Sequence, residues 1–181
     1  MPPDAILFIR HAEEPDGEFI CGVTEQGDPD PYSLSPRGWQ RAGALAAWLA
    51  RKDAEAEGVK LRPAAIFAHG TGEKERSRRS MQTAKPLADA LGNGKKNGAD
   101  FVTKYQPDEE DKLIADVLER TGTVLIAWKH EAIPALAARI PEAPQLPNLW
   151  GEDVYNRLWL LKRTGKGWAF TDLPQKLLAG D

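Results

Sequence analysis

The chain has 181 residues, of which 41% are hydrophobic and 28% are charged, and its formal net charge at pH 7 is -3. These values are ordinary for a globular protein and predict a single domain over residues 1–181. General nucleic-acid binding relies on a strongly basic face, so a net acidic chain makes nucleic acid an unexpected partner.

Two further features bear on where the protein works. A single cysteine, Cys21, cannot form an internal disulfide, so the fold does not depend on an oxidising compartment. The first residues carry no basic n-region, and no apolar run is long enough to span a bilayer. We therefore expect a cytoplasmic protein without a membrane partner.

The predicted elements begin with a strand over the apolar run 5–9, AILFI, which ends at Arg10-His11. The segment 12–33 follows; it is rich in Gly, Pro, Asp and Glu, contains no Lys or Arg, and is predicted to be a functional or mobile loop. Pro86 lies inside a later helical pattern, which predicts a late helix start or a kink there. The elements predicted after the loop are a helix beginning at Ser35-Pro36, a strand at 64–68, a helix around 84–91, a short strand at 101–105, a helix capped by Asp108, a strand at 123–128, a helix at 133–140 and a hairpin of strands 157–162 and 168–171.

Strands that alternate with helices predict an α/β fold with a parallel sheet covered on both faces. The closing pair of strands predicts an antiparallel edge on that sheet. No internal repeat or domain boundary is evident.

The three histidines of the chain each follow a predicted core strand, at His11, His69 and His130. The carboxyl ends of parallel strands share one edge, where ligands bind in open α/β sheets, so we expect the imidazoles to converge. Two chemistries use such a cluster: a zinc site with three imidazole ligands, and phosphoryl transfer with a histidine nucleophile.

The neighbouring cations favour phosphoryl transfer. Arg10 adjoins His11, and a basic run follows His69, made up of Lys74, Arg76, Arg78 and Arg79. A guanidinium matches phosphate oxygens, whereas a cation beside a metal ion is repelled. Lys74 and Arg76 are interpreted as solvated loop residues.

Ordered motifs carry a family resemblance. The first reads LFIRHAEEP, with Arg10, His11, Ala12 and Glu13; the later motif residues are Leu34, Ser35, Gly38, Arg41 and Ala42, then Arg79, Gln82, Thr83 and Ala84, and finally His130 within VLIAWKHEAIPALA. In this order they resemble the histidine phosphatase superfamily, the phosphoglycerate-mutase-like group. The resemblance implies a three-layer α/β/α sandwich with a mostly parallel central sheet.

The resemblance also implies an activity. It is the metal-independent hydrolysis of a phosphomonoester, without a cofactor, through a phosphohistidine intermediate on His11. Arg10 and Arg79 hold the phosphate and His130 contacts the phosphoryl group. The implied partner is a small phosphorylated substrate or a phosphoprotein.

The proton donor for the leaving group is left open by the sequence. Glu131 is preferred because it adjoins His130, and the other carboxylates that fit the family pattern are Asp108, Glu109 and Glu110. His69 either binds substrate or packs against the loop. Trp150 and Tyr155 are candidates for the pocket mouth, although such residues more often lie in the core or at a rim.

The reaction class also has alternatives. A phosphomutase and a catalytically silent phospho-ligand binding protein share the same architecture. The acidic loop 12–33 repels polyanionic substrates, which favours hydrolysis of a modestly charged monoester. We expect activity from mildly acidic to neutral pH, since a neutral His11 is required.

Overall fold

The structure, a computed structural model, describes residues 2–73 and 75–181. Its elements in chain order are β1 (Ala5–Arg10), α1 (Pro36–Leu49), β2 (Glu55–Ala56), β3 (Val59–Lys60), β4 (Ala65–Ala68), α2 (Arg79–Ala90), β5 (Asp100–Val102), α3 (Glu110–Leu118), β6 (Thr123–Trp128), α4 (Ile133–Ala138), β7 (Arg157–Thr164) and β8 (Gly167–Pro174). Among these residues, no helix combines the length and the apolar character needed to cross a membrane.

One six-stranded sheet organises the fold, in the order β5-β4-β6-β1-β7-β8. The strands β5, β4, β6 and β1 run parallel, whereas β7 pairs antiparallel with β1 and with β8. The prediction of a parallel sheet with an antiparallel edge is confirmed. The small hairpin of β2 and β3 was not predicted, since two-residue strands carry no readable periodicity.

Helices cover both faces of the sheet. Leu7 and Ile9 of β1 lie in a core cluster with residues of α1 and α2, whereas Ile6 and Phe8 lie in a second cluster with residues of α3 and α4. This alternation follows from the two-residue side-chain period of a strand. The three-layer α/β/α architecture with a mostly parallel sheet is therefore the observed fold.

Some predicted boundaries are wrong. The residue at the N-cap of α3 is Glu109 rather than Asp108, and no side chain caps the helix, because the Glu109 carboxylate accepts a hydrogen bond from the Gln106 amide at 3.2 Å instead. The late start of α2 is also wrong, since the helix begins at Arg79 and includes Pro86 within its length. At the start of α1 the prediction holds: Ser35 is the N-cap, and its hydroxyl accepts a hydrogen bond from the Gly38 amide at 3.1 Å.

Candidate active site

The three histidines follow three adjacent parallel strands. His11 comes directly after β1, His69 directly after β4, and His130 two residues after β6, which lies between the other two strands. The backbone amide of His11 donates to the carbonyl of Trp128 at 3.1 Å, which ties the end of β1 to the end of β6. The structure thus places all three imidazoles at one sheet edge, as the strand pattern predicts.

His11 is held in one tautomer by the backbone carbonyl of the next residue. The side chain is buried, and Nδ1 lies 2.8 Å from the carbonyl oxygen of Ala12. Because a carbonyl oxygen only accepts, Nδ1 carries the proton and Nε2 keeps its lone pair. Burial is the largest cause that lowers the pKa of His11; together with the charges of Arg10 and Arg79, and against the raising effect of the Ala12 carbonyl, it brings the pKa to about 3. The imidazole is therefore neutral at physiological pH.

The first two turns of α2 fix the loop that follows His11. The Ala12 amide donates to Thr83 Oγ1 at 2.8 Å, and this hydroxyl donates to the Arg79 carbonyl at 2.7 Å. Gln82 Oε1 accepts a hydrogen bond from the Leu34 amide at 2.9 Å. Gln82 and Thr83 thus position backbone around the site, and Arg79 is the residue of their motif that lines the cleft.

One carboxylate joins the two arginines. Arg10, which is 1% exposed, donates from Nη2 to Glu14 Oε1 at 2.9 Å. Arg79 donates from Nη1 to Glu14 Oε2 at 2.8 Å. Sequence reasoning did not single out Glu14, because it is one of many acidic residues in the loop and no regular spacing there marks it. Each guanidinium predicted to hold phosphate is therefore paired with this same side chain.

Tyr155 completes the polar cluster, whereas Trp150 does not take part. The Tyr155 ring lies 3.9 Å from Arg10 Cζ, and its hydroxyl accepts from Arg10 Nη2 at 3.0 Å and donates to Glu14 Oε1 at 3.2 Å. Burial raises the pKa of Tyr155 to about 12, so the hydroxyl keeps its proton. Trp150 is buried in the core, with its indole ring 4.9 Å from that of Trp159.

His11, Glu14 and Arg79 border an open cleft of about 480 Å³, and Arg10 lies behind Glu14, outside the lining. The lining residues are His11, Glu14, Pro31, Tyr32, Glu75, Arg76, Ser77, Arg79, Lys129, His130 and Glu131. Sequence reasoning missed Glu75 and Lys129, which form an ion pair at the cleft. The pairing joins residues from separate loops, and no local pattern signals it.

His130 and Glu131 stand together on the cleft wall. His130 Nδ1 lies 3.1 Å from Glu131 Oε2, but the two atoms do not form a hydrogen bond. The Glu131 side chain is 61% exposed and free to turn toward a bound ligand. The alternative carboxylates Asp108, Glu109 and Glu110 are not among the lining residues, and Glu109 pairs with Lys112 at 2.7 Å.

His69 lies behind the cleft rather than on its wall. Its side chain is fully buried, and it meets the Trp128 ring edge-on at 5.4 Å. Burial lowers the pKa of His69, so this imidazole is neutral as well. Packing is the role that the structure shows for His69, and its contact with substrate stays a prediction.

Three expectations remain: those for the basic residues Lys74 and Arg76, and the alternative of a zinc site. Lys74 lies outside the described residues. Arg76 is exposed, as expected for a loop residue, yet it also lines the cleft. Within residues 2–73 and 75–181, no three His, Cys, Asp or Glu side chains are arranged to hold a metal ion, so the zinc alternative finds no donor set there.

Comparisons with known proteins identify the fold. Neither the family models nor the curated proteins give a match to this sequence. Solved structures do match. A candidate phosphohistidine phosphatase SixA from Agrobacterium tumefaciens is similar with a TM-score of 0.51 and 19% identity, over 94% of this chain and 97% of that one. The protein histidine phosphatase SixA complexed with tungstate gives a TM-score of 0.51 and 14% identity, over 94% and 97% of the two chains.

A third similar structure is a mutant phosphoserine phosphatase from Entamoeba histolytica in complex with phosphoserine. Its TM-score is 0.51 and its identity 12%, over 96% of this chain and 98% of that one. The class that the architecture defines is thus an α/β sandwich shared with phosphatases. The chain has the fold of the histidine phosphatase superfamily, as its motifs predict.

Proposed function

We propose that the protein is a metal-independent phosphatase that hydrolyses a phosphomonoester through a phosphohistidine intermediate on His11. The observation that carries the proposal is the state of His11 itself: a buried neutral imidazole whose Nδ1 is held by the Ala12 carbonyl at 2.8 Å. An imidazole bound in this way presents Nε2 as a nucleophile at neutral pH. The substrate is a small molecule or a phosphorylated protein side chain.

The first step is an in-line displacement at phosphorus. The bond from His11 Nε2 to phosphorus forms while the bond from phosphorus to the ester oxygen breaks. Arg10 and Arg79 neutralise charge on the non-bridging oxygens, and His130 contacts the phosphoryl group. Glu131 supplies the proton that the leaving alkoxide needs.

The second step returns the enzyme to its starting state. Water attacks phosphorus while the Glu131 carboxylate takes up one of its protons, and the bond from phosphorus to Nε2 breaks. Orthophosphate, a neutral imidazole and a protonated Glu131 result. The guanidinium and imidazole groups provide the positive charge that a metal ion provides in other phosphatases. Dividing one difficult displacement into two easier ones is the gain from covalent catalysis.

The charges at the cleft support hydrolysis of a modestly charged substrate over a phosphomutase reaction. A mutase holds a small diphosphorylated acid and needs extra cations to do so. Here the carboxylates Glu14, Glu75 and Glu131 line the same cleft as Arg76, Arg79 and Lys129. Carboxylates at the wall repel a second phosphate group.

The test is hydrolysis of p-nitrophenyl phosphate by wild type and by His11→Ala, with EDTA present throughout. We expect EDTA-resistant turnover that the variant loses, together with a phosphoryl adduct on His11 that is trapped at alkaline pH. Arg79→Lys should lose most of the activity, and the matched Arg62→Lys, at an exposed arginine away from the cleft, should keep it. A wild type that binds phosphate but never forms the adduct is a binding protein instead, and activity abolished by EDTA would refute the metal-independent mechanism.

A further inference from the structure

The Glu14 carboxylate lies between the two guanidinium groups with the geometry of a bound oxyanion. Its two oxygens each accept from a different arginine, Oε1 from Arg10 at 2.9 Å and Oε2 from Arg79 at 2.8 Å. The Tyr155 hydroxyl makes a third contact, to Oε1 at 3.2 Å. Two non-bridging oxygens of a phosphoryl group need the same set of donors.

We propose that Glu14 is an internal anion that occupies the phosphate position, that the phosphoryl group of the substrate displaces it, and that the Tyr155 hydroxyl then donates to the phosphoryl group. The inference rests on the proposed function, because it takes Arg10 and Arg79 as the phosphate clamp. It adds two residues to the site: Glu14, which competes with the bound anion and weakens its binding, and Tyr155, which strengthens it. Neither role follows from the sequence motifs.

The ligand-free enzyme needs a partner for Arg10. This guanidinium is 1% exposed, and a buried charge without compensation is strongly destabilising. Its Nε and Nη1 atoms find no hydrogen-bond partner in residues 2–73 and 75–181, so the ion pair that Nη2 makes with Glu14 is its main charge compensation. Glu14 thus stabilises the clamp until an oxyanion takes its place.

The position of Glu14 in the chain allows it to leave. It lies in the loop after β1, outside any helix or strand, and its side chain is 35% exposed. A phosphate dianion and a carboxylate repel each other at contact distance, so the two cannot share the clamp. Binding of substrate therefore requires the carboxylate to turn out toward solvent.

Tyr155 is suited to the opposite role. Its hydroxyl is already in hydrogen-bond contact with Arg10 at 3.0 Å, and the ring packs on the same guanidinium. Because burial raises the pKa of Tyr155 to about 12, the group remains a donor at any pH at which the enzyme is folded and active. When the carboxylate leaves, the hydroxyl that pointed at Oε1 is available to a phosphoryl oxygen.

This exchange has a consequence for product release. Orthophosphate, the second product, competes with Glu14 for the same two guanidinium groups. The carboxylate is tethered to the chain and returns at high effective concentration, which favours release of the product. We expect weak inhibition of the wild-type enzyme by orthophosphate.

The experiment measures orthophosphate binding to the full-length protein by isothermal titration calorimetry. Glu14→Gln should bind phosphate about 10- to 100-fold more tightly than wild type, the range expected for loss of a charge-assisted competitor. Glu18→Gln is the matched control, since it removes the same charge from an exposed position in the same loop, and it should bind as wild type does. Adding Tyr155→Phe to Glu14→Gln should weaken binding several-fold.

The outcomes separate the inference from the function on which it rests. If Glu14→Gln and wild type bind phosphate equally while His11 still forms its adduct, the phosphatase stands and the internal anion is refuted. If Tyr155→Phe has no effect in the Glu14→Gln background, the donor role is refuted. If no variant binds phosphate and no adduct forms, the proposed function fails. Thermal unfolding confirms that each variant is folded, and Glu14→Ala replaces Glu14→Gln if the latter is not.

Discussion

The backbone amide of Ala12 donates a hydrogen bond of 2.8 Å to the hydroxyl of Thr83, a residue 71 positions further along the chain. The same hydroxyl donates to the carbonyl of Arg79 at 2.7 Å. The carbonyl of Ala12 accepts a hydrogen bond from Nδ1 of the His11 side chain. One threonine side chain therefore couples the loop that orients the nucleophile to the helix that carries the second arginine.

Replacing Thr83 by valine should damage both stability and activity. Valine keeps the branched shape but lacks the hydroxyl, so the buried Ala12 amide loses its partner, at a cost of about 1–3 kcal/mol in the free energy of unfolding. The Ala12 carbonyl then holds His11 less firmly, and kcat should fall more than KM rises. Urea unfolding and p-nitrophenyl phosphate kinetics measure the two effects. Thr83→Ser keeps the hydroxyl and should behave nearly as wild type; a valine variant of wild-type stability would contradict the coupling.

The depressed pKa of His11 predicts a dependence of stability on pH. The unfolded histidine titrates near a pKa of ~6.5, whereas the folded one titrates at about 3. Between these values the unfolded chain binds more protons, so the stabilising contribution is complete above pH ~6.5 and is lost as the pH falls toward the folded pKa.

The measurement is the free energy of urea unfolding between pH 4 and pH 7. His11→Asn removes the titrating group, so its stability should fall less steeply with acidification than that of wild type. Part of the slope should persist, because burial lowers the pKa of His69 as well. Parallel slopes for the variant and wild type would show that His11 is not buried as a neutral imidazole.

The sequence predicts the scaffold of this site better than its contents. Strand ends fix the positions of Arg10, His11 and His130, because hydrophobic runs mark where the parallel strands stop. The position of Arg79 is predicted by its spacing from Gln82, Thr83 and Ala84 in the family motif. Each of these signals is local in the sequence, and the fold brings the residues together at one edge of the sheet.

Contacts between distant loops were not predictable in this way. Glu14 and Tyr155 are 141 positions apart in the sequence. Their hydrogen bond depends on the antiparallel pairing of β7 with β1, which brings the residues before β7 close to the loop after β1. Glu75 meets Lys129 by the same kind of tertiary approach. The prediction that Asp108 caps α3 was wrong for a local reason. Glu109 occupies the N-cap position, and its carboxylate accepts a hydrogen bond from the Gln106 amide.

Glu131→Gln tests which carboxylate protonates the leaving group. A general acid contributes ~10²–10⁴-fold, so the variant should lose that factor on alkyl phosphates and much less on p-nitrophenyl phosphate, whose leaving group needs little help. Glu110→Gln is the comparison, because that residue starts α3 and does not line the cleft. Full activity of Glu131→Gln on an alkyl phosphate would sink the assignment.

Gly38 and Gly43 lie in the same helix and predict opposite outcomes when changed to alanine. A Cβ at Gly38 lies 2.3 Å from the carbonyl oxygen of Glu13, so the backbone of the loop after β1 has to move. That carbonyl also accepts the Ser35 amide at 2.9 Å, so the displacement disturbs the start of α1. Overpacking of this kind costs about 1–3 kcal/mol.

At Gly43 nothing lies within 4 Å of the added methyl group, and the position is exposed. Alanine should stabilise the helix there by about 0.5–1 kcal/mol, through lower chain entropy in the unfolded state. Urea unfolding of the two variants compares them directly. If Gly38→Ala and Gly43→Ala have equal free energies of unfolding, the loop that contains Glu13 accommodates the methyl group at Gly38 without cost. Glu13 is followed directly by Glu14, which bridges Arg10 and Arg79. If Gly38→Ala is less stable and also loses phosphatase activity, the close approach of α1 to Glu13 holds this catalytic loop in place.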